Sequence, residues 1–343
     1  MRHPTILDVA EEAGVSKSLV SLVMRAPDRV GSSNRTAVLE AAKKLGYRPN
    51  AAARTMVRQR SHVIGVMVSN LHNPFFADVI DGIDMAVTDA GYRAILTTGN
   101  REPERERLAT ATLLEMRVDG LILVSPVVDR RCAIEASHSV PTVVVGKATR
   151  TATVDSVTND DRRGAGMIVD HLVELGHRHI AHIDGGAGAG ARPRRTGYMH
   201  SMQRHGLENE IRSVKGGFTE GGGSAGMWAL LQDGARPTAV FVANDLAANG
   251  ALEVLDAEGL AVPGDISVVG YDNTALAANH RLGLTTVDQP RHDMGRMAAG
   301  LILRKIDLGT VPTSHLVLPP KLVVRESTGP PPHHHSTPTR QQP

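Results

Sequence analysis

The chain has little of several things: one cysteine, one tryptophan, four phenylalanines and four tyrosines among 343 residues. The single Cys132 excludes an intramolecular disulfide and a multi-cysteine zinc site, and it fits a reducing compartment. No apolar run approaches the roughly 20 residues of a membrane span, so no membrane contact is expected. The N-terminus opens on a helix signal rather than a secretory leader, and a cytoplasmic location is expected. Nowhere is a nucleophile paired with a base and an orienting group. No enzymatic activity, cofactor or metal is therefore expected. Net charge is scarce too, at +2, but it is unevenly spread. Residues 1–60 carry 11 Lys/Arg against 5 Asp/Glu, or +6, which leaves −4 for the rest. A small basic head on a mildly acidic body implies that only the head meets a polyanion.

What the chain does have begins at Thr5. From Thr5 to Met24 it reads as two short helices around a tight turn. Thr5 caps the first, with Asp8 as the acidic half of a capping box. Ile6, Val9, Ala10 and Ala13 share one apolar face at helical spacing. Gly14 supplies the turn, and Ser16 caps a second helix whose Leu19, Val20 and Val23 face back. This is the pattern of a helix-turn-helix, whose second helix lies in the DNA major groove. An ordinary αα-hairpin would share it. A third helix is expected from about Asn34 to Leu45, with Val38, Ala41, Ala42 and Leu45 inward and Gly46 at its end. Then Pro49 stops the chain, Asn50 can cap, and the residues to Val57 favour helix. That segment is too short to be stable alone. It suits a hinge that orders when docked, or a plain linker.

The motifs Asp8-Val-Ala, Ala13-Gly-Val-Ser16, Val20-Ser21, Leu45-Gly-Tyr-Arg-Pro-Asn50 and Ala53-Arg54 resemble the head and hinge of the lactose-repressor family of bacterial transcription regulators. The resemblance continues to about Gly329. It implies a homodimer on a pseudopalindromic double-stranded operator, with recognition helices in major grooves and paired hinge helices in the central minor groove. The DNA contacts it implies are Thr5, Ser16, Lys17, Ser18, Ser21, Leu22, Tyr47, Asn50, Arg54 and Met56. Two departures stand out. Leu19 and Leu22 replace the family's usual Thr and Arg, so Leu22 offers only apolar contact, for example to a thymine methyl. Base reading then rests on Lys17, Ser18 and Ser21. Met56 replaces a Leu wedge, which leaves minor-groove kinking feasible.

From Ser61 onward, apolar strands alternate with helices. Strands are expected at Val63–Val68, Tyr92–Thr97, Gly120–Val124, Pro141–Val145, His179–Ile183, Ala239–Val242 and Ile266–Gly270. Helices are expected at Phe76–Gly91 and Glu104–Arg117. This alternation reads as parallel sheets covered on both faces. The expected fold is a small all-α helix-turn-helix head joined by a hinge helix to a two-lobed α/β body. By resemblance the body is like periplasmic sugar-binding proteins. The expected division is a head at 1–48, a hinge at 49–60, an effector-binding and dimerisation body at 61–329 and a disordered tail at 330–343. Within the body, one lobe takes about 61–158 and 286–320, the other about 159–285 and 321–329. The chain would cross between lobes near 158, 286 and 320.

Ligands of such sheets bind at the carboxyl ends of strands. Phe75 and Phe76 follow the first strand with Asn73, and Phe218 opens a later strand-end turn. With so few aromatics, three at strand ends suggest a stacking platform for a flat or ring-shaped ligand. Lys147, Asp160, Arg194, Asn244, Asp272 and Gln289 also fall at strand ends. The resemblance makes Arg194 and Phe218 effector contacts. Carboxylates and amides opposite Arg or Lys are chemistry for polyols, so a sugar or nucleoside-like effector is expected.

Three motifs are set aside. Gly185-Gly-Ala-Gly-Ala-Gly190 follows a strand but lacks dinucleotide-loop spacing. His177, His179 and His182 lie close together without a ligand pattern, and His333 to His335 sit in a tail without core-forming residues. The expected function is an allosteric, ligand-switched transcription regulator, most simply a repressor. The alternative is a ligand-binding or nucleotide-dependent metabolic protein on the same body. It would have to treat the basic head as accidental.

Overall fold

The computed structural model describes residues 4–47, 60–234, 236–278 and 283–332. Two compact units emerge, Met1–Ser61 and His62–Pro343. In the first, α1 (Ile6–Glu12) starts at a reciprocal cap. The Asp8 carboxylate accepts from the Thr5 N–H at 2.6 Å, and the Thr5 hydroxyl accepts from the Asp8 N–H. Gly14 turns the chain at φ +67°, a conformation that disfavours a Cβ. The Ser16 hydroxyl then caps α2 (Lys17–Arg25) by accepting from the Leu19 N–H at 3.2 Å. The third helix, α3 (Ser32–Leu45), begins two residues before the expected start and ends at Gly46, φ +63°. Val9, Val20, Val23 and Val38 meet with Ala10, Ala41 and Ala42 in a small core, and Tyr47 packs against it.

The second unit contains two parallel sheets. The first lobe holds β1 (Val63–Val68), α4 (Pro74–Asp89), β2 (Arg93–Thr98), α5 (Pro103–Glu115), β3 (Gly120–Val124), α6 (Arg130–Ser137), β4 (Thr142–Val145) and β5 (Asp155–Asn159). It is completed by α11 (Arg291–Leu308) and β11 (His315–Leu318), giving the strand order β11-β5-β4-β3-β1-β2. The second lobe holds α7 (Asp161–Glu174), β6 (Ile180–Ile183), α8 (Ala191–Arg204), β7 (Arg212–Val214), α9 (Glu220–Gln232), β8 (Ala239–Val242), α10 (Asp245–Ala257) and β9 (Ser267–Val269). Its strand order is β7-β6-β8-β9. An antiparallel pair, β10 (Thr286–Asp288) with β12 (Lys321–Val323), is joined to that sheet through the Val269–Thr285 and Asp272–Asp288 bridges.

Alternation along the strands builds a core on each face. Ile64, Val66 and Val68 of β1 pack with Val79 and Ile83 of α4 and Ala298 and Ile302 of α11. Met67 points the other way, to Leu113 of α5 and Ala133 of α6. In the second lobe α9 and α10 cover one face, and α7 and α8 the other. Apolar strands flanked by helices on both sides are what near-continuous hydrophobic runs require. The α4–α11 and α9–α10 pairs approach through glycine. A Cβ on Gly82 would lie 2.1 Å from the His292 carbonyl oxygen, and one on Gly223 would lie 1.8 Å from that of Ala247.

The chain passes between the two sheets at Asp160, at Gln289–Pro290 and at Pro319–Pro320. Because β10 pairs with β12, the second passage falls a few residues after the expected position near 286. The Asp160 N–H donates to the Leu318 carbonyl at 3.0 Å, tying two passages together. Pro331 lies against Gly176, so packed chain extends past Gly329, beyond the expected start of the tail. No helix among the described residues is long and apolar enough to cross a membrane.

Candidate functional site

Both parallel sheets turn their carboxyl ends toward one cavity of about 590 Å³, open mouth included. From the first lobe, Ser69 and Asn70 follow β1, Arg101 follows β2, Ser125 follows β3, and Asn159 ends β5. Asn73 caps α4 by accepting from the Phe75 N–H at 2.9 Å. That cap and Pro74 fix the helix start, which seats Phe75 and Phe76 edge to face on the wall, 5.2 Å apart. Both rings also belong to the lobe's core, so they are buttressed from behind.

The second lobe contributes a buried ionic centre. Arg194 on α8 donates to Asp161 at 2.9 Å and to the Ala243 carbonyl at 2.7 Å, and it approaches Asp272 at 3.6 Å. Its guanidinium lies 3.7 Å from the centre of the Tyr271 ring and 5.4 Å from that of Phe218. Burial alone would lower the Arg194 pKa. The Asp161 and Asp272 carboxylates outweigh it and raise the pKa, so this guanidinium stays charged. Burial drives the Asp272 carboxyl upward against the opposing pull of Arg194 and Arg291. Asp245, directly behind, is raised for the same reason and further by Asp272. Gln289 donates to Asp272 at 2.5 Å. Asp272 holds φ +116°, a backbone state that non-glycine residues rarely adopt, and such outliers concentrate at functional sites. Arg325 donates to Asn273 and Asn273 to Asp288, which holds the strained turn in place.

The glycine-rich loop has a packing reason. A Cβ on Gly185 or Gly188 would fall 2.3–2.5 Å from the Phe218 ring, so these glycines let the ring lie down on the loop. The clustered histidines take separate partners. His177 bonds Thr238 and Gly329, His179 bonds Glu210, and His182 bonds the Phe241 carbonyl.

Asn73, Phe75, Phe76, Arg194, Phe218, Asn244, Asp272 and Gln289 all line the cavity. Lys147 and Asp160 do not. The Lys147 ammonium donates to the carbonyls of Pro126 and Val128, pinning the loop after β3 and leaving Gly146 on the wall. Asp160 caps α7 through the Arg163 N–H, and its neighbour Asp161 turns to Arg194 instead. A capping side chain faces its own helix, and the Asn159-Asp-Asp161 run signals a cap without showing which aspartate supplies it. Arg101 carried none, since it follows an edge strand in a turn at φ +61°. Two buried amide atoms on the wall, Asn244 Nδ2 and Asn159 Oδ1, lack a hydrogen-bond partner among the described residues. Asn244 Oδ1 is meanwhile committed to capping α10.

In the head, Thr5 and Ser16 use their hydroxyls as helix caps. Lys17 and Ser18 are exposed at the start of α2, while Ser21, Leu22 and Tyr47 are half-buried. Asn50, Arg54 and Met56 lie outside the described residues, as does the expected hinge helix.

Two family descriptions match the chain: bacterial regulatory proteins of the lacI family at residues 5–50, and a periplasmic binding protein-like domain at residues 169–328. Catabolite control protein A of Priestia megaterium is 34% identical over 328 residues, covering 94% of this chain and 99% of its own. The solved lac repressor dimer, bound to operator and the anti-inducer ONPF, is 31% identical with a TM-score of 0.83, covering 96% of this chain and all of its own. A complex of the transcriptional regulator CelR with cellobiose is 33% identical with a TM-score of 0.71, covering 95% of this chain and all of its own. A capped helix-turn-helix head, two parallel sheets facing one cavity and relatives aligned along nearly the whole length lead to one assignment: the chain belongs to the lacI family of bacterial transcription regulators.

Proposed function

We propose that the protein is a homodimeric repressor of double-stranded operator DNA, released or engaged by a sugar or related metabolite in the cavity between its lobes. The observation that carries the ligand reading is the pair of orphaned amide atoms, Asn244 Nδ2 and Asn159 Oδ1, on a wall that also holds Arg194, Asp272 and three phenylalanines. Burying polar groups without partners is costly, and a hydroxylated ring would satisfy both while stacking on Phe75, Phe76 or Phe218. CelR's complex with cellobiose supports the sugar class. The division into a head at 1–48, a hinge at 49–60 and a body from 61 belongs to the same proposal. Lys17, Ser18, Ser21 and Leu22 read bases. Thr5, Ser16, Tyr47, Asn50 and Arg54 hold phosphates or register, and Met56 wedges the minor groove.

The mechanism is a population shift. Ligand favours one lobe–lobe arrangement, which sets the spacing of the two hinges on DNA, with a coupling of roughly 1–3 kcal/mol. Selection of operators from a randomised duplex library, at stated salt and with the full-length protein, tests the reading. It is expected to recover one palindrome with a flexible central step. Asp272→Ala is expected to abolish the ligand response while retaining operator binding. A variant that still responds to ligand like the wild type would displace the site from this cavity.

A further inference from the structure

Arg101 stands apart among the charged groups on the cavity wall. Asp161 and Asp272 are both turned to Arg194. Among the described residues, Arg101 has no carboxylate within ion-pair distance. It is nevertheless held firmly. Its N–H donates to the Ser69 carbonyl at 2.8 Å. Gly99, two residues earlier, presses so closely on Glu106 that a Cβ there would lie 2.6 Å from the Glu106 backbone nitrogen. The acid behind it, Glu106, is wholly buried and already engaged. It accepts from Ser69 Oγ at 2.7 Å and from the N–H groups of Val127 and Val128 at 2.8 Å each. The guanidinium instead reaches across to the second lobe, 5.8 Å from the centre of the Phe218 ring.

A half-buried guanidinium keeps its charge; burial lowers its pKa, and the field of the Glu106 carboxylate behind it offsets that only in part. An aromatic face compensates only in part. A neutral hydroxylated ligand would fill the cavity and strip more water from Arg101 while offering it hydroxyl oxygens but no compensating charge. A ligand with a phosphate or carboxylate near Phe218 would pair with it in a fork geometry. Resting on the reading of this cavity as the effector site, we propose that the effector is anionic. It would be a hydroxylated ring carrying a phosphate or carboxylate, with the anionic group on Arg101 and the hydroxyls on Asn244, Asn159 and Asp272.

Thermal shift of the full-length protein tests this in two arms. The first compares inorganic phosphate with chloride at equal ionic strength on wild type, Arg101→Lys and Arg101→Gln. Phosphate is expected to raise the wild-type midpoint, with most of the rise kept by Arg101→Lys and lost in Arg101→Gln. Phosphate held by the basic head contributes equally to all three and cancels. No excess rise in wild type, or the same rise in Arg101→Gln, overturns the proposal. The second arm titrates glucose, glucose 6-phosphate and glucuronate, then ribose and ribose 5-phosphate. An anionic member is expected to bind about tenfold more tightly than its neutral parent, with that ratio collapsing in Arg101→Gln. Which anion gains shows whether phosphate or carboxylate is read. A neutral parent that binds as tightly as its anionic partners overturns the proposal while leaving the effector site intact. If no member binds in a manner lost in Asp272→Ala, the effector reading fails and the proposal falls with it.

Discussion

His182 sits in the middle of β6 with no exposed surface, stacked 4.4 Å from the Phe241 ring and tilted against Tyr198. Burial pushes its pKa down to about 4, although the Phe241 carbonyl and Asp184 pull the other way. A native pKa below the unfolded value near 6.5 means that the folded state binds fewer protons. This histidine's contribution is therefore complete above pH 6.5 and is lost as pH falls toward 4. Between pH 6.5 and 4.5 the loss amounts to about 2 kcal/mol. His182→Gln keeps a donor for the Phe241 carbonyl without the titration, so its stability should fall less steeply over that window. Denaturation midpoints across the pH series measure this, and parallel slopes for the two proteins would sink it. At this scale the sequence was partly legible. Residue types at strand ends pointed to Asp272 and the phenylalanines now on the cavity wall, and the family resemblance pointed to Arg194. Type and position could not say which of two adjacent aspartates caps a helix, nor that Lys147 would bend back to carbonyls. Those outcomes depend on side-chain direction, which is set only once the loop is folded.

Helix pairs are the next scale, and here glycine decides the spacing. In the α4–α11 pair, Gly82 faces the His292 carbonyl and Gly295 faces the Val79 carbonyl, each with room for no Cβ. Gly300, on the same α11, faces open space. The two classes of glycine should therefore respond with opposite sign to alanine. Gly82→Ala must push one backbone off another and is expected to cost about 2 kcal/mol or more. Gly300→Ala removes the entropic penalty of a helical glycine and is expected to stabilise by about 0.5–1 kcal/mol. Urea midpoints of the two variants check the pair. A Gly82→Ala protein as stable as wild type would mean that the helices are not pressed together here. Elements were the most legible level of the chain. Runs such as Val63–Val68 and Ala239–Val242 are apolar throughout and end at polar or turn residues, so buried strands were evident and their observed bounds coincide. The start of α3 was missed because Gly31, which supplies no side-chain cap, stands at its N-cap position.

The whole molecule poses the question of what joins two heads on one operator. The edge strand β2 leaves Ile95 and Leu96 partly exposed. On the adjoining helices Met85 is 58% exposed and Met297 is partly exposed, and His292 lies 3.4 Å from the Met85 sulfur. A row of apolar side chains beside an unpaired strand edge is a surface that proteins usually cover. In the proposed homodimer this is the surface expected to meet the partner subunit. Joining two heads makes the second DNA contact effectively intramolecular, which raises affinity by about 10²–10⁴ without any new contact. Leu96→Asp places a charge in that surface. It is expected to yield monomers in sedimentation and to weaken operator binding by a factor in that range. The residual binding should keep the steep salt dependence of the isolated basic head. A Leu96→Asp protein that still sediments as a dimer would move the interface elsewhere on the body. One that is monomeric yet binds its operator as tightly as wild type would show that each head acts alone, and coupling between ligand and DNA would then have to run within a single chain.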